Sequence, residues 1–158
     1  MKRGGITAKI KGKEAEKIAI YALNTIGINM VEKIGTPIRI IDKIIIRGRS
    51  YYSLIWGDKV SGDFRGIIKG SGRSVLAEVK FRSGEKLKLS DLEKHQINAL
   101  DLHNELGGLS LLVWVNDDNV FVLRWPIIEL NKKGSITRKE AENEKLKKII
   151  LDNKNNFN

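Results

Sequence analysis

The chain has 158 residues, enough for one domain with a real core, and it contains no cysteine. Disulfides, thiolate metal sites and cysteine nucleophiles are therefore excluded, and with only His95 and His103 a histidine-built metal cluster is excluded in practice. Lysine and arginine outnumber aspartate and glutamate 29 to 19, a net charge of +10 that favours a polyanionic partner. Any metal must be held by carboxylates and carbonyls, which points to a hard cation such as magnesium or manganese. No apolar run is long enough for a membrane span, and no signal-peptide stretch follows the basic opening MKRGG. A cytoplasmic protein without membrane partners is the expectation.

Residues 1–12 carry Lys2, Arg3, Lys9 and Lys11 among glycines and read as a flexible basic arm. A single α/β domain is expected over 13–150, followed by a polar tail at 151–158. From Lys13 a helical stripe begins, with Ala15, Ile18, Ala19, Ala22 and Ile26 at spacings of three and four, and Gly27 as its stop. Glu16 lies beside that stripe. After Thr36-Pro37, IRIIDKIII and YYSLIW read as two strands of a hairpin (38–56) turning at Arg47-Gly48-Arg49-Ser50. Its apolar residues, Ile44 to Ile46 and Tyr51 to Trp56, exceed what a solvent-facing hairpin exposes and suggest a partner surface.

GDFRGIIK and SVLAEVKF form the next two strands, joined by the glycine-containing turn KGSGRS. Ser90-Asp91-Leu92-Glu93 has capping-box spacing and predicts a second helix opening at Ser90. Its inner stripe is Leu92, Gln96, Ala99, His103 and Leu106, and Gly107-Gly108 ends it. LSLLVWV and VFVLRW follow as a hairpin around Asn116-Asp117-Asp118-Asn119. A third helix is expected near Thr137, where Thr137-Arg138-Lys139-Glu140 repeats the capping-box spacing.

The informative triplet is Glu78-Val79-Lys80. Strand alternation puts Glu78 and Lys80 on one face and Ala77, Val79 and Phe81 on the other. By itself such a pair is most often a solvated ion pair. Asp63, at the start of the preceding strand, changes the reading, because pairing across the turn brings it toward Glu78. Two adjacent carboxylates repel, and a divalent cation offsets that repulsion. Phosphodiester hydrolysis needs this arrangement: the cation polarises a phosphoryl oxygen and acidifies a water. Lys80 can orient that water or neutralise developing charge. Glu16 offers a further carboxylate, directly or through water. Gln96, an amide in an apolar stripe, must find partners, and the edge of the site would supply them. His95 reads as a packing or phosphate-contact residue, and His103 as a satisfied core histidine.

In order, GKEAEK, EKIGTPIRI, GDFRG, LAEVK, LSDLEKHQ and SITRKEAE resemble the blocks of the RecU-type Holliday junction resolvases, within the PD-(D/E)xK nucleases. The resemblance runs from about Gly12 to Glu142. It implies a restriction-endonuclease-like α/β core, with a mixed central sheet flanked by helices and a protruding β-hairpin stalk at 38–56. It also implies a homodimer with two active sites, acting on branched DNA by paired symmetric nicks at four-way junctions. It assigns Asp63 and Glu78 as metal ligands, Lys80 as the catalytic lysine and Glu16 as a supporting carboxylate, and it places Arg47 and Arg49 at the stalk tip. The backbone carbonyl of Val79 completes the expected Mg2+ (or Mn2+) set, with Gln96 at the catalytic edge. Arg47, Arg49, Lys86, Lys88 and His95 are the expected DNA contacts. The cellular setting is the nucleoid, or host cytoplasm for a viral protein. Ala15, Gly35 and the hydroxyl-poor stretch from Asp58 to Gly62 depart from the family pattern, and none of them is a metal ligand. A restriction-like or repair nickase and a non-catalytic DNA-binding protein are the alternatives. The first would want a target-recognition domain, and the second has no use for carboxylates facing phosphate.

Overall fold

The structure, a computed structural model, describes residues 4–35, 38–56, 62–117 and 119–150, with 4–11, 38–42, 44, 46, 51–56 and 147–150 given by backbone alone. Lys2, Arg3, Thr36-Pro37, most of the Asp58–Gly62 stretch and the polar tail lie outside the described residues. The elements run α1 (Gly4–Thr25), β1 (Ile28–Lys33), β2 (Ile38–Ile46), β3 (Arg49–Trp56), β4 (Phe64–Ile68), β5 (Ser74–Phe81) and β6 (Lys86–Lys88). After a 3-10 turn at Leu89–Asp91 come α2 (Lys94–Glu105), β7 (Leu109–Val115), β8 (Asn119–Arg124), α3 (Ile128–Lys133), β9 (Ser135–Thr137), α4 (Arg138–Glu144) and β10 (Lys145–Ile150).

Six strands form the central sheet in the order β1-β4-β5-β7-β8-β10. The pairing is antiparallel except between β5 and β7, which run parallel with Glu78 opposite Leu112 and Lys80 opposite Trp114. A parallel neighbour requires a crossover, and α2 provides it. Both faces of the sheet are covered. On one, Ala15, Ala19, Ala22 and Leu23 of α1 pack on Phe64, Val75, Ala77, Leu111 and Val113. The alanines carry no bulk beyond Cβ, so the helix lies close to the strands. On the other, Leu100 of α2 meets Leu112, Trp114, Phe121 and Leu123. The central strand β7 is therefore buried nearly throughout.

The stripe predicted for α1 is the buried one, but the helix begins at Gly4 rather than Lys13, so most of the segment read as an arm is helical. Two expectations for α2 are corrected. Ser90 does not cap it; Leu89–Asp91 forms its own turn and Glu93 is the N-cap residue. Its buried residue is Leu100, whereas Leu106 is 79% exposed. Thr137 does cap α4, accepting from the Glu140 N–H while the Glu140 carboxylate accepts from the Thr137 N–H. The chain after α4 turns into β10 instead of continuing as helix. Strands β2 and β3 pair only with each other among the described residues and turn at Arg47-Gly48, with Arg47 at φ 49°. Of the residues read as a partner surface there, only Ile45 has a described side chain, and it is exposed.

Candidate active site

The β4–β5 hairpin assembles the acidic pair. Just before β4, Gly62 takes φ +81°, and a Cβ there would lie 2.6 Å from Leu76 Cδ1, so the turn into Asp63 requires glycine. The Asp63 N–H donates to Ala77 O (2.9 Å), and its own carbonyl accepts from the Ile34 N–H (2.8 Å). Held on both sides, Asp63 turns its carboxylate to β5, where Oδ2 accepts from the Val79 N–H at 2.7 Å.

Glu78 and Lys80 share one face of β5, as alternation requires, but the carboxylate is not displayed to solvent. Glu78 is 1% exposed, because α2 covers that face. Its Oε1 lies 3.0 Å from Lys80 Nζ and accepts from Gln96 Nε2 at 2.5 Å. The Gln96 Oε1 in turn accepts from Lys80 Nζ and from the Glu93 N–H, both at 2.9 Å. Acceptor and donor ends of the amide are thus fixed by partners that cannot exchange roles, since a lysine only donates and an ionised carboxylate only accepts. Gln96 ties the start of α2 to the face of β5 that carries Glu78 and Lys80.

The electrostatics favour a positive charge beside the acidic pair. Burial first, then the neighbouring Asp63 carboxylate, push Glu78 up to about 7 against the pull of Lys80. Burial likewise raises Asp63, opposed by the Val79 N–H and Lys80 and reinforced by Glu16. The second oxygen of Glu78, Oε2, is buried without a hydrogen-bond partner. A buried carboxylate oxygen left unpaired is costly, and a cation there would remove the cost. Asp63, Glu78 and a backbone carbonyl of β5 therefore suit a hard divalent ion. Among the described residues, no three acidic or histidine side chains group closely enough to hold a metal, so the side-chain donors are two.

Glu16 reaches the neighbourhood but is engaged elsewhere: its Oε2 pairs with Lys33 Nζ at 2.6 Å. Lys33 is the residue that sequence reasoning missed. It ends β1, and its charge acts on Asp63 together with that of Glu16. Nothing local marks it, because its partner sits on another element. Among the expected DNA contacts, Lys86 and Lys88 are exposed on β6, flanking the buried Leu87. Arg47 and Arg49 are exposed at the tip of the β2–β3 hairpin. His95 is partly buried, 3.4 Å from Glu93 Oε2, and touches none of the acidic pair. His103 stands away from the site. Because Ser110 Oγ donates to Leu100 O (2.7 Å), it can only accept from His103 Nδ1 (3.0 Å), leaving Nε2 to accept from Ser74 Oγ (2.9 Å). Both ring nitrogens of His103 are thus satisfied, as expected, but the ring is half-buried and borders surface hollows rather than sitting in the core.

A mixed sheet flanked by helices, with an aspartate leading into one strand and a Glu-x-Lys on the next, is the restriction-endonuclease-like fold. Over residues 13–157 the chain matches the family described as RecU, Recombination protein U, and it belongs to that family. Its structure is similar to that of Hjc, a Holliday junction resolvase from the archaeal hyperthermophile Archaeoglobus fulgidus. The TM-score is 0.52 at 12% identity, covering 82% of this chain and 91% of that one, a likeness of fold. No curated protein matches the sequence. Among the described residues, no helix is long and apolar enough to cross a membrane.

Proposed function

We propose that this chain is a metal-dependent endonuclease that resolves four-way DNA junctions as a homodimer, by paired symmetric nicks. One observation carries the reading: Glu78, whose charge feels that of Asp63, holds a buried, unpartnered carboxylate oxygen beside Lys80. Asp63, Glu78 and the Val79 carbonyl would hold magnesium (or manganese), which would supply the charge that offsets the two carboxylates and would acidify a water. The rest is done by the chain. Lys80 spends two of its three N–H donors on Glu78 and Gln96, which leaves one to meet a phosphoryl oxygen or orient the water. Gln96 keeps Lys80 from swinging away, and the Lys33–Glu16 pair sets the field on Asp63 from the opposite side. Glu16, whose carboxylate Lys33 holds, would bear on a bound cation only through water. Lys86, Lys88 and His95 receive the DNA backbone beside the site, and the β2–β3 hairpin is the stalk. The protein works where branched DNA arises, in the nucleoid or a host cytoplasm.

The test is single-turnover cutting of a four-way junction against linear duplex of the same sequence, with magnesium and with EDTA. Junction cutting that needs the metal and exceeds duplex cutting is expected; equal cutting of both would reassign the substrate. Affinity should fall steeply with salt, because each neutralised phosphate releases condensed counterion. Arg47→Ala combined with Arg49→Ala should weaken junction binding more than duplex binding. Equal losses would make those arginines part of a general basic surface.

A further inference from the structure

The connector that leaves the Glu78–Lys80 strand is held from beneath by its carbonyls. Residues 82–85 join β5 to β6, and all four are exposed. Asn116, which follows β7, is only 2% exposed and turns its amide under them. Its Nδ2 donates to Arg82 O (3.0 Å) and to Gly84 O (2.7 Å). Trp114 Nε1 donates to the same Arg82 oxygen (3.0 Å). A carbonyl only accepts, so the nitrogen end of the Asn116 amide must face the connector. A trans peptide sets its N–H opposite its C=O, and both peptides here are trans. With the Arg82 and Gly84 carbonyls drawn inward, the Ser83 and Glu85 N–H groups point outward. Neither has a protein partner among the described residues. Gly84, between them, takes φ +92°.

We propose that residues 82–85 bind a DNA phosphate through these backbone donors, with Asn116 as the buried residue that positions them. Successive N–H groups turned outward at a left-handed residue form an anion-binding concavity. The surroundings carry the matching sign. Lys86 and Lys88 follow at once, exposed and paired with no acid among the described residues. The nearby acids are already offset: Glu85 pairs with Arg138 at 3.0 Å, and Asp91 with Arg82 at 2.9 Å. Asp91 also accepts from the Lys88 N–H, so the far end of the segment is fixed as well. Ser83 is three residues beyond Lys80, at most about 10 Å of chain. One DNA strand rises about 3.4 Å per nucleotide, so the phosphate held here lies close along the strand to the one at Lys80. The inference rests on the junction reading for its ligand. It deepens that reading by assigning what sets the position of the cut along the strand.

The test is amide NMR of the full chain in calcium, titrated with a four-way junction and with a short linear duplex. The Ser83 and Glu85 N–H signals should move downfield as DNA binds. Gly84→Ala puts a side chain in the left-handed region, with nothing within 4 Å of the new methyl, so it disturbs the connector and not the packing. Asn116→Ala removes both inward donors. Each should lower affinity for either DNA about 3- to 10-fold, the loss of contacts between backbone donors and a charged oxygen. In magnesium each should also spread junction cutting onto neighbouring phosphodiesters, which a purely structural role would not do. Unmoved Ser83 and Glu85 signals on a DNA-saturated protein overturn the proposal. So does a Gly84→Ala variant with the parent's affinity, or one that cuts only where the parent cuts. If Asn116→Ala loses its fold, Gly84→Ala decides alone. The junction reading is judged separately: a parent that binds DNA through these amides yet leaves four-way junctions intact refutes that reading and not the phosphate loop.

Discussion

Asp63→Asn and Glu78→Gln should each lower single-turnover junction cutting in magnesium by at least about two to three orders of magnitude, the loss typical when one strong electrostatic contributor is removed. Both substitutions keep shape and hydrogen-bonding capacity and delete only charge. Asp63→Asn can still accept from the Val79 N–H, so the hairpin should stay closed. Glu78→Gln removes the less comfortable of the two charges, the one that burial and Asp63 push up to about 7. Stability should hold or rise in that variant while cutting collapses, a combination that general damage to the fold would not give. Binding to a junction in calcium or EDTA should persist or tighten, because a negative charge facing phosphate has gone. Lys80→Met should also cripple cutting. Glu16→Gln should show a smaller defect that added magnesium relieves, since Glu16 is held by Lys33 rather than grouped with the acidic pair. If Asp63→Asn cuts like the parent, the proposed site is wrong.

The largest effect on stability is expected from a position far from the chemistry. Gly108 precedes β7, and a Cβ there would fall 2.2 Å from His103 Cε1 and 2.4 Å from Nε2. The ring cannot yield freely, because Ser74 and Ser110 hold its two nitrogens and the Gly108 N–H donates to the His103 carbonyl. Arg73 closes the same corner, donating to the carbonyls of Gly107 (2.8 Å) and Gly108 (2.7 Å). Gly108→Ala should therefore cost about 2–3 kcal/mol, the upper part of the roughly 1–3 kcal/mol typical of overpacking. For a domain of this size that corresponds to a melting point lower by roughly 5–10 °C. His103→Ala in the same chain should recover part of the loss by vacating the space, and a double-mutant cycle in urea would measure the coupling. Strict additivity would mean that the imidazole is not what the new methyl meets.

The hairpin that carries the candidate site was legible because its determinants are local. Alternation in SVLAEVKF assigns Glu78 and Lys80 to one face, and a short turn suffices to bring Asp63 across. Gln96 was legible as an amide needing partners, but not as the clamp between Glu78, Lys80 and the N-terminus of α2. Two capping signals compete there, Ser90-x-x-Glu93 and Glu93-x-x-Gln96. The second prevails because Leu89 and Asp91 are bound elsewhere: the Leu89 N–H donates to Gly134 O, and Asp91 accepts from Arg82 and from the Lys88 N–H. Those partners are remote or lie across a turn, so spacing alone does not reveal them. The outer strands escaped for a related reason. INMVEK and KLKKII carry charges where alternation would want apolar residues, and β1 is held by β4 rather than by a face of its own. Helix α3 is short and ends in two lysines before Gly134, a stretch that reads as loop until Leu130 is seen to be buried.

Those outer strands also govern what the molecule avoids. The free side of an edge strand is a row of unpaired amides and carbonyls, a template on which a further strand can add and sheets can stack into fibres. Both edges here are spoiled for that purpose. The register of β1 slips between Asn29 and Glu32, around Met30 in a left-handed conformation (φ 51°), and that of β10 slips between Lys145 and Lys147. An incoming strand would find the hydrogen-bonding rhythm broken and charged residues close to each break. Growth by strand addition is thereby hindered at both edges of the central sheet.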